Sequence, residues 1–353
     1  MCVKGIFRME TIVKIVDNFM DKEKNYEQAV DMLNSGEVVA FPTETVYGLG
    51  ALATDEAAVD KIFKAKGRPS DNPLIVHIGT KEEVALYAVN ISPAAEKLMD
   101  AYWPGPLTLV FERIEGTIAP NVTPGVTSVG IRMPNHPVAL DLLRALKMPL
   151  AAPSANQSGK PSPTEAAHVK KDLDGRIPLI LDGGQTGVGL ESTVIDMTTV
   201  PPTILRPGGV TKEMIEAVIG PVEAASETIV EEAPRSPGMK YTHYAPEAPL
   251  FIIEADLEKI EQAVKALQAQ KKQVAVIGPD EFKIAQANWY FAIGSSGSNE
   301  EMATNLYKAL RHCDTTTANV ILAVETNTSG VGAAFMNRLL KAADGKRYGK
   351  IVL

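Results

Sequence analysis

Three cations fall within five residues of the segment KAKGRPSDNPLIVHI. They are Lys64, Lys66 and Arg68, followed by a loop holding Pro69 and Pro73 and then by an apolar run containing His77. Clustered cations can neutralise an anion, phosphate above all, where other loops bring it within reach. Lys64 and Lys66 also read as the last turn of a helix, where positive charge offsets the dipole. Arg68 lies beyond that turn and is not explained so simply. Five other segments carry polar groups at strand ends: FPTETVYGLG (Thr43, Thr45, Tyr47), TSVGIRMP (Ser128, Arg132), APSANQSGKPSPT (Ser154, Asn156, Ser158, Lys160, Ser162), GLESTVID (Ser192, Thr193) and LRPGG (Arg206). An arginine near a strand end can hold a carboxylate through its planar fork. Successive turn residues can form an anion-binding nest. Each segment alone also reads as an ordinary turn or structural ion pair, and His77 alone as a core histidine. Together they describe a cleft for a polyphosphate and a small zwitterion. The chain has no G-x-x-x-x-G-K-[ST], HExxH, GxSxG or CxxC, so its chemistry does not rest on a nucleophilic triad.

The elements that must position these groups alternate in type. TIVKIV (11–16) reads as a strand and residues 23–34 as a helix. GEVVAFPTETVYGLGAL reads as strand, turn at Pro42 and Gly-rich return. Thr54 then reads as an N-cap with Asp55 and Glu56 in the first turn. Val59, Ile62, Phe63 and Lys66 share a helical face, and Gly67 suits the position just past the end. KEEVALYAV and SPAAEKLMDAYW read as helices. LTLVFER, VGIRMP, PLAAPSAN, IPLILDGG, ESTVIDM and TILRPGG read as strands, short and apolar on both sides, as in a sheet covered by helices. Residues 221–248 hold Pro234, Pro237 and Pro246 without a helical period and read as a linker. Its aromatic Tyr241, His243 and Tyr244 suggest a lid over the cleft. From 249 to 353 a βα series follows: PLFIIEA, a helix over 256–270, QVAVIGP, WYFAIG, a helix over 300–312, ANVILAVE and a helix over 333–343. The expected layout is a catalytic domain (1–220), a linker or lid (221–248) and a Rossmann-like three-layer α/β domain (249–353).

At 353 residues, 45% hydrophobic and 22% charged, the chain is globular. A net charge of −8 argues against a surface that binds nucleic acid throughout, though not against a local basic pocket. Cys2 and Cys313 make neither a disulfide framework nor a zinc site, which fits a reducing, cytoplasmic setting. No apolar run approaches the ~20 residues of a membrane helix. The N-terminus shows no signal-peptide pattern.

Taken in order, PTETVYGLG, Lys66-x-Arg68, NPLIVH, Ser154-x-Asn156, LESTVID and LRPGG resemble the YrdC-type threonylcarbamoyl-AMP synthases. The tail SPGMKYTHYAP followed by a small α/β domain is similar to the long, two-domain form. The resemblance implies an α/β fold: a twisted, open, mixed sheet with a concave positive surface, plus the smaller domain. It implies a reaction in which L-threonine, bicarbonate and ATP give threonylcarbamoyl-adenylate and pyrophosphate, with Mg²⁺ carried by the ATP rather than by protein side chains. The product would pass to the tRNA threonylcarbamoyl transferase machinery. Thr45, His77, Arg132, Ala152 and Ser192 take the threonine side in this resemblance. Lys66, Arg68, Asn72, Ser128, Ser154, Asn156, Ser162, Arg206 and Tyr241 take the ATP side, with Lys66 and Arg68 as the catalytic cations and Tyr244 second to Tyr241. The alternative reading is a module that binds double-stranded RNA or ribosome precursors without catalysis.

Overall fold

The computed structural model describes residues 10–16, 22–225 and 244–349. Tyr241 and His243 therefore lie outside the described residues, as does the body of the expected lid. Among the described residues the first sheet has twelve strands. From one edge they run Ile12–Ile15, Leu179–Asp182, Val39–Phe41, Gly48–Leu52, Leu150–Ala151, Ile75–His77, Ser128–Arg132, Leu107–Arg113, Thr193–Asp196, Thr203–Arg206 and Glu223–Ala224, with Ala88–Val89 beside Leu107–Arg113. The sheet is mixed, as expected: Ile75–His77 is parallel to Ser128–Arg132 but antiparallel to Leu150–Ala151. Register then does the positioning. His77 stands opposite Arg132 on one side and Leu150 on the other, and Val194 stands opposite Arg206.

Side-chain alternation assigns the two faces. Val76, Leu109, Ile195 and Ile204 point into the main core, where Val59, Ile62 and Phe63 of the helix Glu56–Lys66 pack. On the opposite face Val39, Phe41, Leu179 and Leu181 are covered by Leu33, Leu142 and Leu143 from helices Lys22–Asn34 and Pro137–Leu146. Further along that face Ile75, Val110, Val194 and Leu205 form a separate small patch to which no described helix contributes. This buried stretch of sheet borders a concavity through Ile75.

Three local expectations are corrected. The N-cap of Glu56–Lys66 is Asp55, whose Oδ1 accepts from the amides of Ala57 and Ala58, not Thr54. KEEVALYAV is a 3₁₀ turn over Lys81–Leu86, because Ala88 and Val89 are drawn away to pair with Arg113 and Glu112 at the sheet edge. The start of the 221–248 segment extends the sheet, with Glu223 and Ala224 paired to Thr203 and Ile204. Gly67 does sit past its helix end, with φ 61° in the left-handed region.

The second sheet is parallel, in the order Leu250–Ile253, Val320–Val324, Val274–Gly278, Trp289–Ala292. Helix Leu257–Ala269 covers one face and helices Asn299–Cys313 and Gly332–Ala342 the other, giving the three layers expected. Helix Asn299–Cys313 works on two sides. Met302, Ala303, Leu306, Leu310 and Cys313 enter the core of the second sheet. Thr304, Tyr307, Lys308 and Arg311, spaced i, i+3, i+4, i+7, form a stripe that faces the first domain. Thr304 donates to the Gly187 carbonyl, Tyr307 to Glu191, Lys308 to Glu165 and Arg311 to Asp172. Approach is so close at Gly189 that a Cβ there would lie 2.4 Å from the Thr304 carbonyl oxygen.

Candidate active site

A cleft of about 740 Å³ opens beside this patch. Of the expected site residues, Thr45, Lys66, Arg68, His77, Arg132, Ala152, Ser154, Asn156, Ser192 and Arg206 line it, together with Thr43, Ser158 and Tyr244. Asn72, Ser128 and Ser162 do not. Ser128 borders an adjoining concavity of about 280 Å³ that shares Ile75 with the cleft. Asn72 is buried beneath Arg68, whose Nη2 donates to the carbonyls of Asn72 (3.4 Å) and Pro73 (3.2 Å). Ser162 is buried behind the cleft wall.

One end of the cleft is built around Arg132. Its Nε donates to the Gly105 carbonyl (3.3 Å) and its Nη1 to Thr45 Oγ1 (3.0 Å). Nη2 lies 2.7 Å from Glu44 Oε2, an ion pair, yet neither Glu44 oxygen has a hydrogen bond of good geometry, so the pair is close but misaligned. Thr43 shapes the loop: its Oγ1 accepts from the amides of Thr45 and Val46, both at 3.2 Å. His77 is buried, with Nδ1 3.2 Å from the Ile75 carbonyl. Burial first, and the Arg132 charge second, pull its pKa from 6.5 to about 3, so the ring is neutral at physiological pH. This end presents one cation, hydroxyls and an uncharged imidazole, a set suited to an amino-acid carboxylate and hydroxyl.

The middle is the loop after Leu150–Ala151. Lys66, 1% exposed, donates to the Ser154 carbonyl and to the Asn156 carbonyl (2.6 Å), with Asn156 Oδ1 at 3.4 Å. Ser154 Oγ donates to Asn156 Oδ1 (2.5 Å), and Asn156 Nδ2 to the carbonyls of Gln157 (2.9 Å) and Lys160 (2.8 Å). Burial, then the nearby Arg68 charge, holds the Lys66 pKa well below its usual value. Lys66 thus braces the Ser154–Asn156 loop, while Arg68 stands nearer the mouth.

The remaining wall is held by Arg206, which donates through Nε to the Ser192 carbonyl and through Nη2 to Ser192 Oγ, both at 3.1 Å. Thr108 Oγ1 lies 2.8 Å from the same Ser192 hydroxyl. Next to Ser192 stands a residue the motif reading passed over. The buried Glu191 carboxylate accepts from Ser162 Oγ (2.6 Å), Tyr307 OH (2.9 Å) and Arg338 Nε (2.8 Å). Against burial, the Arg338 and Arg206 charges lower its pKa to about 2. Glu44 and Glu191 lie inside the motifs PTET and LEST without being singled out, whereas Tyr244, the second expected linker contact, does line the cleft. Nothing local in sequence marks Tyr307 or Arg338.

Residues 31–208 match a family model described as telomere recombination, and residues 210–344 one described as the threonylcarbamoyl-AMP synthase C-terminal domain. The threonylcarbamoyl-AMP synthase of Bacillus subtilis is 48% identical over 336 residues, covering 95% of this chain and 97% of its own. The one from Pyrococcus abyssi is 49% identical over 323 residues, covering 89% and 93%. The solved structure of P. abyssi Sua5 complexed with L-threonine superposes with a TM-score of 0.91 at 44% identity, covering 95% of this chain and 98% of that one. Two domains of these kinds around a polar cleft define an α/β enzyme of the nucleotidyltransferase type. The chain belongs to the threonylcarbamoyl-AMP synthase family.

Proposed function

We propose that this chain joins L-threonine, bicarbonate and ATP into threonylcarbamoyl-adenylate, releasing pyrophosphate, as the step that feeds threonylcarbamoyladenosine formation in tRNA. The observation that carries the reading is the gathering of Arg132, Arg206 and the Lys66-braced loop around one cleft. In this reading Arg132 exchanges its misaligned Glu44 partner for the threonine carboxylate, and Thr45, neutral His77, Ala152 and Ser192 shape the rest of the amino-acid pocket. The threonine amine forms an N–C bond to CO₂ from bicarbonate, losing a proton. A carbamate oxygen then attacks the α-phosphorus, and the bond to the β-phosphate oxygen breaks with pyrophosphate as leaving group. Such a step needs alignment and charge neutralisation more than a protein nucleophile. Lys66 and Arg68 act on the phosphates, with Ser154, Asn156 and Arg206 beside them. Asn72, Ser128 and Ser162 support the nucleotide from behind or beside the cleft. Tyr241 is proposed as a linker contact to ATP.

Among the described residues no group of three or more His, Cys, Asp or Glu side chains is set to hold a metal. We propose that Mg²⁺ would be carried by the ATP rather than by protein side chains, and would supply charge neutralisation there. We divide the chain as 1–220, 221–248 and 249–353. Among the described residues no helix is long and apolar enough to cross a membrane. We place the reaction in the cytoplasm, with the tRNA threonylcarbamoyl transferase machinery as consumer of the product. The test incubates the protein with Mg·ATP and bicarbonate, with and without L-threonine, and measures pyrophosphate. Threonine-dependent release is expected. No release from folded protein overturns the reading and leaves the RNA-binding module in its place.

A further inference from the structure

Glu191 is an anion set in the wall of a cleft whose proposed ligand is a polyanion. Left alone it would repel the triphosphate and claim Arg206 for itself. All that prevents this, apart from Ser162, comes from the second domain. Arg338, fully buried, reaches Glu191 Oε2 with Nε (2.8 Å) and the Pro207 carbonyl, next to Arg206, with Nη2 (3.0 Å). Tyr307 OH touches both Glu191 oxygens, at 3.1 and 2.9 Å. With Ser162 these donors give each carboxylate oxygen a hydrogen bond. Tyr244, which lines the cleft, stacks on Tyr307 at 5.1 Å and lies 5.9 Å beneath the Arg338 guanidinium. Leu190, on the other side of Glu191, is part of the second domain's core.

We infer that the C-terminal domain is a charge-balancing and positioning element of the nucleotide side of the cleft: Arg338 and Tyr307 neutralise and fix Glu191, which leaves Arg206 available to the nucleotide and keeps Ser162 in place. This rests on the proposal that the cleft takes ATP. Arg338 is a positioning residue; it does not itself line the cleft. A buried guanidinium that served only to glue two domains would affect both ligands alike. One that cancels an anion beside the phosphates acts on the nucleotide, and removing the anion restores what removing the cation takes away.

The experiment measures Mg·ATP and L-threonine binding by titration calorimetry on full-length protein. Arg338→Met keeps the bulk and removes the charge, and it is expected to weaken ATP binding by about tenfold or more while threonine binding stays within about twofold. Adding Glu191→Gln to Arg338→Met is expected to bring ATP binding back to within about threefold of wild type, since the interface is then neutral on both sides. Tyr307→Phe retains the packing and loses one bond, with an expected loss of about threefold for ATP; it also serves if Arg338→Met does not fold. ATP binding unchanged in these variants, equal losses for both ligands, or a double variant no better than Arg338→Met overturns the inference. Wild-type protein that binds no Mg·ATP overturns the reading of the cleft as well, so the two failures are told apart.

Discussion

Two buried glutamates, each paired to an arginine, contrast the cleft with the domain interface. Glu44 lies 2.7 Å from Arg132, yet its oxygens lack a well-directed hydrogen bond. Glu191 accepts well-directed bonds on both oxygens, from Ser162, Tyr307 and Arg338. A buried ion pair stabilises only when its remaining lone pairs and protons are satisfied. The first pair is therefore weakly committed, and its arginine can be taken over by a ligand. The second is committed structure. A ligand site and a scaffold can use the same residue types; what separates them is how completely the polar groups are satisfied before a ligand arrives.

The contrast breaks if the two carboxylates respond alike. Glu191→Gln leaves Arg338 buried without its counter-charge, and the expected cost is about 3–5 kcal/mol of stability, read from chemical denaturation. A loss below about 1 kcal/mol would mean the interface pair is as loose as the cleft pair. Next in size, Arg132→Ala is expected to weaken threonine binding by about 2–5 kcal/mol with ATP binding nearly unchanged, measured by calorimetry on each ligand. Equal losses would remove Arg132 from the threonine pocket.

Acid separates the regions further. His77 stays neutral when folded, with a pKa of about 3, but takes a proton at about 6.5 when unfolded. Its depressed folded pKa means stability falls as pH drops below about 6.5, by about 2 kcal/mol at pH 5 relative to pH 7.5. Glu191, lowered from 4.5 to about 2, contributes stability that is fully present above 4.5 and is lost only as pH falls from there toward 2. Denaturation midpoints between pH 7.5 and 5 should therefore follow His77 together with His168, whose folded pKa burial and the Arg311 charge lower to about 4, and His77→Gln should remove only the His77 share of the slope. An unchanged slope in that variant assigns the acid response elsewhere. The smallest effect is expected at Glu44→Gln, a stability change of about 1 kcal/mol or less, because the misaligned pair contributes little to begin with. A loss matching that of Glu191→Gln would show the cleft pair to be scaffold too.

The same contrast explains what the sequence made legible. Strands such as LTLVF and VAVIG announce themselves as short apolar runs, and the cleft residues sit at their ends within compact motifs. Ten expected site residues share one cavity because register, a local property of neighbouring strands, brings them there. Asn72 and Ser162 belong to the same motifs but turn inward, which spacing alone does not reveal. The helix stripe Thr304, Tyr307, Lys308 and Arg311 was not legible at all. Polar residues at i, i+3, i+4, i+7 look the same whether they face water or the polar surface of another domain. Thr54 and Asp55 are adjacent and both can cap, Asp somewhat better by type, and the backbone sets the cap at Asp55.

The Arg338–Glu191 bond joins residues 147 positions apart in the chain. During synthesis at about 5–20 residues per second, roughly 7–30 s separate the appearance of the carboxylate from that of its guanidinium. Throughout that interval Glu191 is without the guanidinium that pairs with it, and the cleft wall beside it lacks that contact. The cleft wall is thus completed from the far side of the chain: the bond that neutralises Glu191 forms only when helix Gly332–Ala342 docks.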